Sequence, residues 1–217
     1  MNKKMNNKSC GNRLTALYKK SSSCEAYLRE YLKYVNQLFY KIDHQAIAEA
    51  AECFLRARDN DSTIFFIGNG GSAATASHFA QDLGEVGRKT GTIAFRTLSL
   101  SDSVPSITAL GNDYGYQRIF SGQLSNLFKK GDVLVAISAS GNSPNIIEAV
   151  RLADKLQGVT IGLVGFDGGR LAGLCGHLIW IRTRKGEYGP VEDIHLIIDH
   201  MITSYLTNKI NQVDGII

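Results

Sequence analysis

The stretch TIFFIGNGGSAATASHFAQDLGE, residues 63–85, decides the fold. A short apolar run ends in a glycine-rich turn, and a segment of helical periodicity carrying His78 and Asp82 follows it. Such a strand–turn–helix has three readings: a dinucleotide fingerprint, a phosphate cradle for a small sugar, or a tight corner of a core. Gly68-Asn69-Gly70-Gly71-Ser72-Ala73 formally satisfies G-x-G-x-x-A after a strand. A dinucleotide site also wants an acid ~20 residues further on to hold the ribose. The available Asp102 stands about thirty residues on, so the pattern alone is weak.

The rest of the chain repeats the alternation. STIFFIG, GTIAFRTLSL, GDVLVAIS, VTIGLVG and HLIWIRT are runs rich in Ile, Val, Leu and Phe, as strands buried on both faces require. Helical patterns separate them at about 72–83 and 144–156, and a long closing helix is predicted over about 191–209. Before the first strand, apolar residues recur at helical spacing from Cys24 to Arg58. That pattern breaks near Ile42-Asp43-His44, where Asp43 suits the N-cap of a second helix. The expected fold is α/β: a three-layer α/β/α sandwich around a central, mainly parallel five-stranded sheet of flavodoxin-like type, preceded by N-terminal helices. In such open sheets ligands bind at the carboxyl ends of the strands. The polar loops GNGGS, SLSDS and SASGNS all stand where strands end.

The third of these loops decides between the readings. Ser138-Ala139-Ser140-Gly141-Asn142-Ser143 carries three hydroxyls just before a helix opened by Pro144, which lacks an amide hydrogen and suits the first turn. Serines also cap helices and fill turns for purely structural reasons. Free N–H groups at a helix start, the positive end of its dipole and several hydroxyl donors nevertheless make an anion site, here for a phosphate monoester. No nucleotide cofactor is expected.

Composition agrees with one globular domain. The chain has 217 residues, a net charge of +4 and 20% charged residues. Six of its basic residues fall in the first twenty positions, so the body is nearly neutral and no nucleic-acid partner is expected. Residues 1–22 read as a basic, flexible tail and residues 23–217 as the domain. Cys10, Cys24, Cys53 and Cys175 are scattered without CxxC spacing, and no signal peptide or long apolar run is seen. A cytoplasmic protein with free thiols and no membrane partner follows. His44, His177 and His195 read as surface or core histidines, Asp193 and Asp199 as solvated or capping acids, and Tyr114 and Tyr116 as packing or loop residues.

Four motifs in order, GNGGSA…HFAQDL, SLSDSVPSITALGNDYGYQRIF, ISASGNSPNIIEAV and GPVEDIHLIIDHMI, resemble the sugar isomerase (SIS) family over about residues 27–206, and within it the phosphoheptose isomerases. The resemblance implies an aldose–ketose isomerase converting sedoheptulose 7-phosphate into an aldoheptose 7-phosphate for surface polysaccharide synthesis. It also implies a homotetramer with active sites near subunit boundaries. Asp82 and His200 would be the proton-transfer pair, and His78, Asp82, Glu192 and His200 a zinc-binding set. Asn69, Gly70, Gly71, Ser72, Asp82, Ser101, Asp102, Ser138, Ala139, Ser140, Ser143 and Glu192 would grip the substrate.

The chain departs from that pattern at four positions. Asp82 replaces the usual glutamate, withdrawing the carboxylate by roughly 1.5 Å. Glu192 stands for a common glutamine, Ala139 for a threonine and Gly189 for an aspartate. Two histidines with two carboxylates suit Zn²⁺ better than a set containing a neutral amide. The alternative within the fold is a non-catalytic tetrameric adaptor or phosphosugar-binding regulator. Such relatives tend to lose the histidine–acid pair, whereas His78, Asp82, Glu192 and His200 are all present here.

Overall fold

The computed structural model describes residues 12–213. Its sheet has five strands: β1 (Thr63–Ile67), β2 (Arg96–Ser99), β3 (Val133–Ser138), β4 (Val159–Val164) and β5 (His177–Trp180). All neighbours pair parallel in the order β2-β1-β3-β4-β5. The strand order therefore reverses between β1 and β3, and the crevice beyond their carboxyl ends is where a ligand of this architecture binds.

Alternation along the strands builds the two cores. Ile64 and Phe66 of β1 point to one face with Val133, Val135 and Ile161, while Phe65 and Ile67 point to the other with Leu134 and Ala136. The first face is covered by α2 (Cys24–Phe39), α3 (His44–Asp59), α4 (Gly71–Thr90) and α8 (Tyr188–Val213). The second face is covered by α6 (Ser121–Leu127) and α7 (Pro144–Lys155). A further helix, α5 (Val104–Tyr114), follows β2. Asp43 caps α3 as its position implies, accepting from the amides of Gln45 and Ala46.

Three details differ from the sequence reading. β2 is not buried on both faces: it is the sheet edge, with Arg96 and Leu98 exposed, and it spans only four residues of the longer apolar run. α5 and α6 come from a stretch whose periodicity was too short to register. The signals were Ser103, whose hydroxyl accepts from the Ser106 amide, and Pro105 in the first turn.

The third difference is at the basic N-terminus. Residues 13–20, expected as part of a flexible tail, form helix α1 (Arg13–Lys20), whereas residues 1–11 lie outside the described part. Asn12 Oδ1 caps α1 at 2.8 Å from the Leu14 amide, and Leu14 and Leu17 pack on the first core. The Arg13 amide donates to Glu187 Oε1 at 2.7 Å. Glu187 is wholly buried and also accepts from the Tyr34 hydroxyl and from the Arg184 amide at 3.3 Å, so α1 supplies one of the donors to a buried carboxylate. Among the described residues no helix is long and apolar enough to cross a membrane.

Candidate active site

Two groups of residues face each other along α4 and α8. The first lies at the switch point. α4 begins directly after β1, with Gly70 at its N-cap in the positive-φ region and no side-chain cap. Gly68 is required for this entry, because a Cβ there would sit 2.2 Å from the Ser72 carbonyl oxygen. α7 likewise begins after β3, and Ser143 occupies its N-cap position without making a capping bond. The uncapped N-terminus of α4 and the start of α7, where Pro144 has no amide hydrogen and the Ile146 amide donates to Asn145 Oδ1 at 3.0 Å, flank one cavity of about 150 Å³, lined by Asn69, Ser72, Ile137, Ser138, Ala139, Ser140, Ser143, Tyr188 and Glu192. The loops are tied together across it: Asn69 and Asn145 exchange two side-chain hydrogen bonds at 2.9 Å, and the Tyr116 hydroxyl donates to Asn69 Oδ1 at 3.0 Å.

Glu192 belongs to this first group. Its carboxylate lies over the start of α4, where a Cβ on Gly71 would come within 2.4 Å of Oε2. Burial, and then the charge of Asp193, raise its pKa above the ordinary carboxylate value.

The second group lies two turns further along both helices. His78 and Asp82, four residues apart, share one face of α4. They meet consecutive residues of α8, Asp199 and His200. His78 Nε2 is 3.1 Å from His200 Nε2, 3.4 Å from Asp82 Oδ2 and 3.9 Å from Asp199 Oδ2, and His200 Nε2 is 3.9 Å from Asp82 Oδ2. One candidate ligand atom from each of the four residues lies within 4.8 Å of the others. A tetrahedral ion with bonds of ~2.0–2.1 Å has ligand–ligand edges of about 3.3–3.4 Å, so the His78 and His200 separations lie near those edges and the widest of the group must close by up to about 1.4 Å. Asp199 is fully buried and neither of its oxygens has a hydrogen-bond partner. Burial, and then the neighbouring Asp82 carboxylate, push its pKa up to about 8.

Comparison with known proteins agrees with this geometry. Residues 26–165 match the SIS domain family. The phosphoheptose isomerase of Aliarcobacter butzleri is 35% identical over 189 residues, which cover 86% of this chain and 98% of that one. The phosphoheptose isomerase of Neisseria gonorrhoeae is 43% identical over 162 residues, covering 74% and 81%. The solved structure of phosphoheptose isomerase GmhA from Neisseria gonorrhoeae superposes with a TM-score of 0.75 at 34% identity, covering 85% of this chain and 96% of that one. The chain belongs to the phosphoheptose isomerase family of SIS-domain proteins.

Within that family the expected residues separate into distinct places. Asn69, Ser72, Ser138, Ala139, Ser140, Ser143 and Glu192 line the switch-point cavity, with Gly70 and Gly71 at the helix start beside it. His78, Asp82 and His200 form the second group. Ser101 and Asp102 do not line the cavity. The Ser101 hydroxyl donates to the Gly68 carbonyl at 3.2 Å and braces the first loop from behind, while Asp102 accepts from the Ser77 hydroxyl on α4.

The group of candidate ligand atoms differs from the sequence expectation in one member. Glu192, expected as the fourth ligand, lies at Gly71, and the fourth group beside His78, Asp82 and His200 is Asp199. Asp199 was read as solvated or capping; a carboxylate in an apolar stretch, IIDHMI, was the missed signal. Asp193 is exposed, as expected, and accepts from the Tyr31 hydroxyl at 2.5 Å. Gly189 has a local reason too, since a Cβ there would meet Tyr31 Oη at 3.0 Å.

Proposed function

We propose that the protein interconverts sedoheptulose 7-phosphate and D-glycero-D-manno-heptose 7-phosphate through an enediol. The observation that carries this reading is the placement of a proton-transfer and metal-type cluster one cavity-length from a phosphate-type cradle. His78 stands seven residues beyond Gly71, about 10 Å along α4 at ~1.5 Å per residue. An extended sugar of six or seven carbons, built from ~1.5 Å bonds, spans a comparable distance from its phosphate to C1 and C2.

In this reading Ser138, Ser140, Ser143 and the open amides at the start of α4 hold the phosphate. The ketose then lies along α4 with C1 and C2 at the cluster. Asp82 takes a proton from C1 while O2 gains one, giving the enediol. Loss of the proton on O1 and delivery of one to C2 from His200 Nδ1, the ring nitrogen not directed at the cluster, complete the aldose, with no net gain or loss of protons. Asp82 directs Oδ2 to the histidines, which leaves Oδ1 as its proton-transfer oxygen. His78, Asp82, His200 and a second carboxylate would hold Zn²⁺, which when bound supplies a Lewis acid for the carbonyl and enediolate oxygens. Bringing His78, Asp82 and His200 together has no use in a non-catalytic adaptor of the same fold, and this favours the enzyme.

The assembly proposed is a homotetramer in the cytoplasm, serving activated-heptose and surface polysaccharide synthesis. Its support is the apolar surface left uncovered on α2 and α8, where Leu28, Leu32, Met201 and Tyr205 are exposed, beside a cavity of about 330 Å³ between α3 and α8. The deciding experiment is proton NMR of sedoheptulose 7-phosphate with the enzyme in D₂O. Deuterium entering at the carbon α to the carbonyl, together with aldose formation, is the expected result. No exchange with heptulose and hexulose phosphates, with or without zinc, would remove the enzyme reading.

A further inference from the structure

Asp199 is the feature of the second group that the proton-transfer scheme leaves unused. The α8 face around it is largely apolar: Ile194, Ile198 and Ile202 are buried against the first core, and the buried His195 and Thr203 stand one turn before and after it. Within that face Asp199 is 0% exposed, and both of its carboxylate oxygens lack a hydrogen-bond donor. A buried carboxylate without a partner is among the most unfavourable groups a core can hold, and the common remedies are an ion pair, a donor or a metal. The polar atom it approaches is His78 Nε2, 3.9 Å from its Oδ2, at the point where His78, Asp82 and His200 already converge.

Resting on the metal-binding part of the function proposed above, we infer that Asp199, rather than Glu192, is the fourth protein ligand of a divalent cation held by His78, Asp82 and His200. Glu192 stands eight residues before His200, about 12 Å back along α8 at ~1.5 Å per residue. Its carboxylate lies over Gly71, in the wall of the phosphate-type cavity. Asp199 is adjacent to His200 and needs no reach. Two carboxylates and two imidazoles also neutralise a divalent charge, which a buried site requires. The arrangement suits the short arm at Asp82: α4 and α8 each contribute one histidine and one aspartate, so the cation sits midway between the helices.

The test uses Co²⁺ as a spectroscopic probe on the full-length protein after chelator treatment, with affinity read by competition and stoichiometry by elemental analysis. For the wild type, one Co²⁺ per protomer with the intense visible bands of a four-coordinate site is expected. Asp199→Asn should weaken Co²⁺ binding by at least the ~10–100-fold that loss of an outer-sphere partner costs. Glu192→Gln should change it by less than about threefold, well under that outer-sphere cost. Asp199→Cys supplies a gain of signal that does not depend on affinity: a thiolate-to-cobalt charge-transfer band in the near ultraviolet. Wild-type affinity in Asp199→Asn, together with no such band in Asp199→Cys, overturns the inference while leaving a metal at the site. A wild-type protein that binds no Co²⁺ overturns both the inference and the metal reading, and the D₂O exchange experiment then judges the isomerase separately.

Discussion

His78 Nε2 and His200 Nε2 face each other at 3.1 Å across the packed helices α4 and α8. Two neutral imidazoles cannot both direct lone pairs at one another over that distance. Either a proton or a cation must lie between them. On the function proposed above a cation lies there, and full activity depends on it. Dialysis against a strong chelator should therefore lower turnover of sedoheptulose 7-phosphate, and Zn²⁺ should restore it. Asp82→Asn and His200→Asn should each lower kcat by ~10²–10⁴-fold, the span expected for loss of a general acid or base. Steady-state kinetics of the two variants check this, and near-wild-type kcat in both would remove them from proton transfer.

Ser143 separates capping from substrate binding. Removing a serine that caps a helix costs ~1 kcal/mol of stability. The Ser143 hydroxyl makes no capping bond; its neighbour is Ser138 Oγ at 3.5 Å. Ser143→Ala should leave the urea midpoint nearly unchanged and raise KM about tenfold, which corresponds to ~1.4 kcal/mol of lost phosphate binding. A variant that instead loses stability and keeps its KM would place the hydroxyl in the fold rather than in the cradle.

The docking of α1 depends on one buried carboxylate. Glu187 accepts from the Arg13 amide, and from the Tyr34 hydroxyl in a short bond, while the Arg13 guanidinium stacks 4.4 Å above the Tyr34 ring. Tyr34→Phe removes one donor from a group with no access to water. It should cost ~1.5–3 kcal/mol in urea unfolding, the contribution of one hydrogen bond to a charged group, while Oε2 keeps the Arg184 amide at 3.3 Å. The next residue, Tyr188, lines the phosphate-type cavity, so deletion of residues 1–20 should also raise KM. Unchanged stability and KM in the deletion would show that α1 contributes nothing to the loop before α8.

Much of this could be read from the chain before any coordinates. Strands β1, β3 and β4 are runs of Ile, Val, Leu and Phe that only a doubly covered sheet explains, and the break at Asp43 marked the α2–α3 boundary correctly. The anion cradle was legible because its residues are contiguous within two loops. Position along the sheet was not legible: an edge strand such as β2 has the same composition as a central one until its neighbours are known. Asp199 was missed for a related reason. One acidic residue in an apolar helix looks like an exposed position unless the partner helix is known to cover it, and α4 does so with His78 and Asp82. α1 was missed because eight residues carry too little periodicity, and its docking draws on the first core and on Glu187, 174 positions away from Arg13.

His195 gives the fold a defined acid limit. It is wholly buried on α8 with the Val164 carbonyl beside it, and burial lowers its pKa from the ordinary 6.5 to about 4. The native ring stays neutral where the unfolded ring takes a proton. The stability this contributes is fully present above pH 6.5 and is lost as the pH falls from 6.5 toward 4. At 1.36 kcal/mol per pKa unit the loss amounts to ~3 kcal/mol over that window. Other groups titrate there as well, so the informative quantity is the stability difference between wild type and His195→Leu, measured by urea unfolding of the chelated protein at each pH. That difference should be constant above pH 7 and shift by ~3 kcal/mol against the wild type between pH 6.5 and 4. Parallel stability curves across the window would mean that the ring is protonated equally in both states, and the burial of His195 would then have no part in the acid sensitivity of the protein.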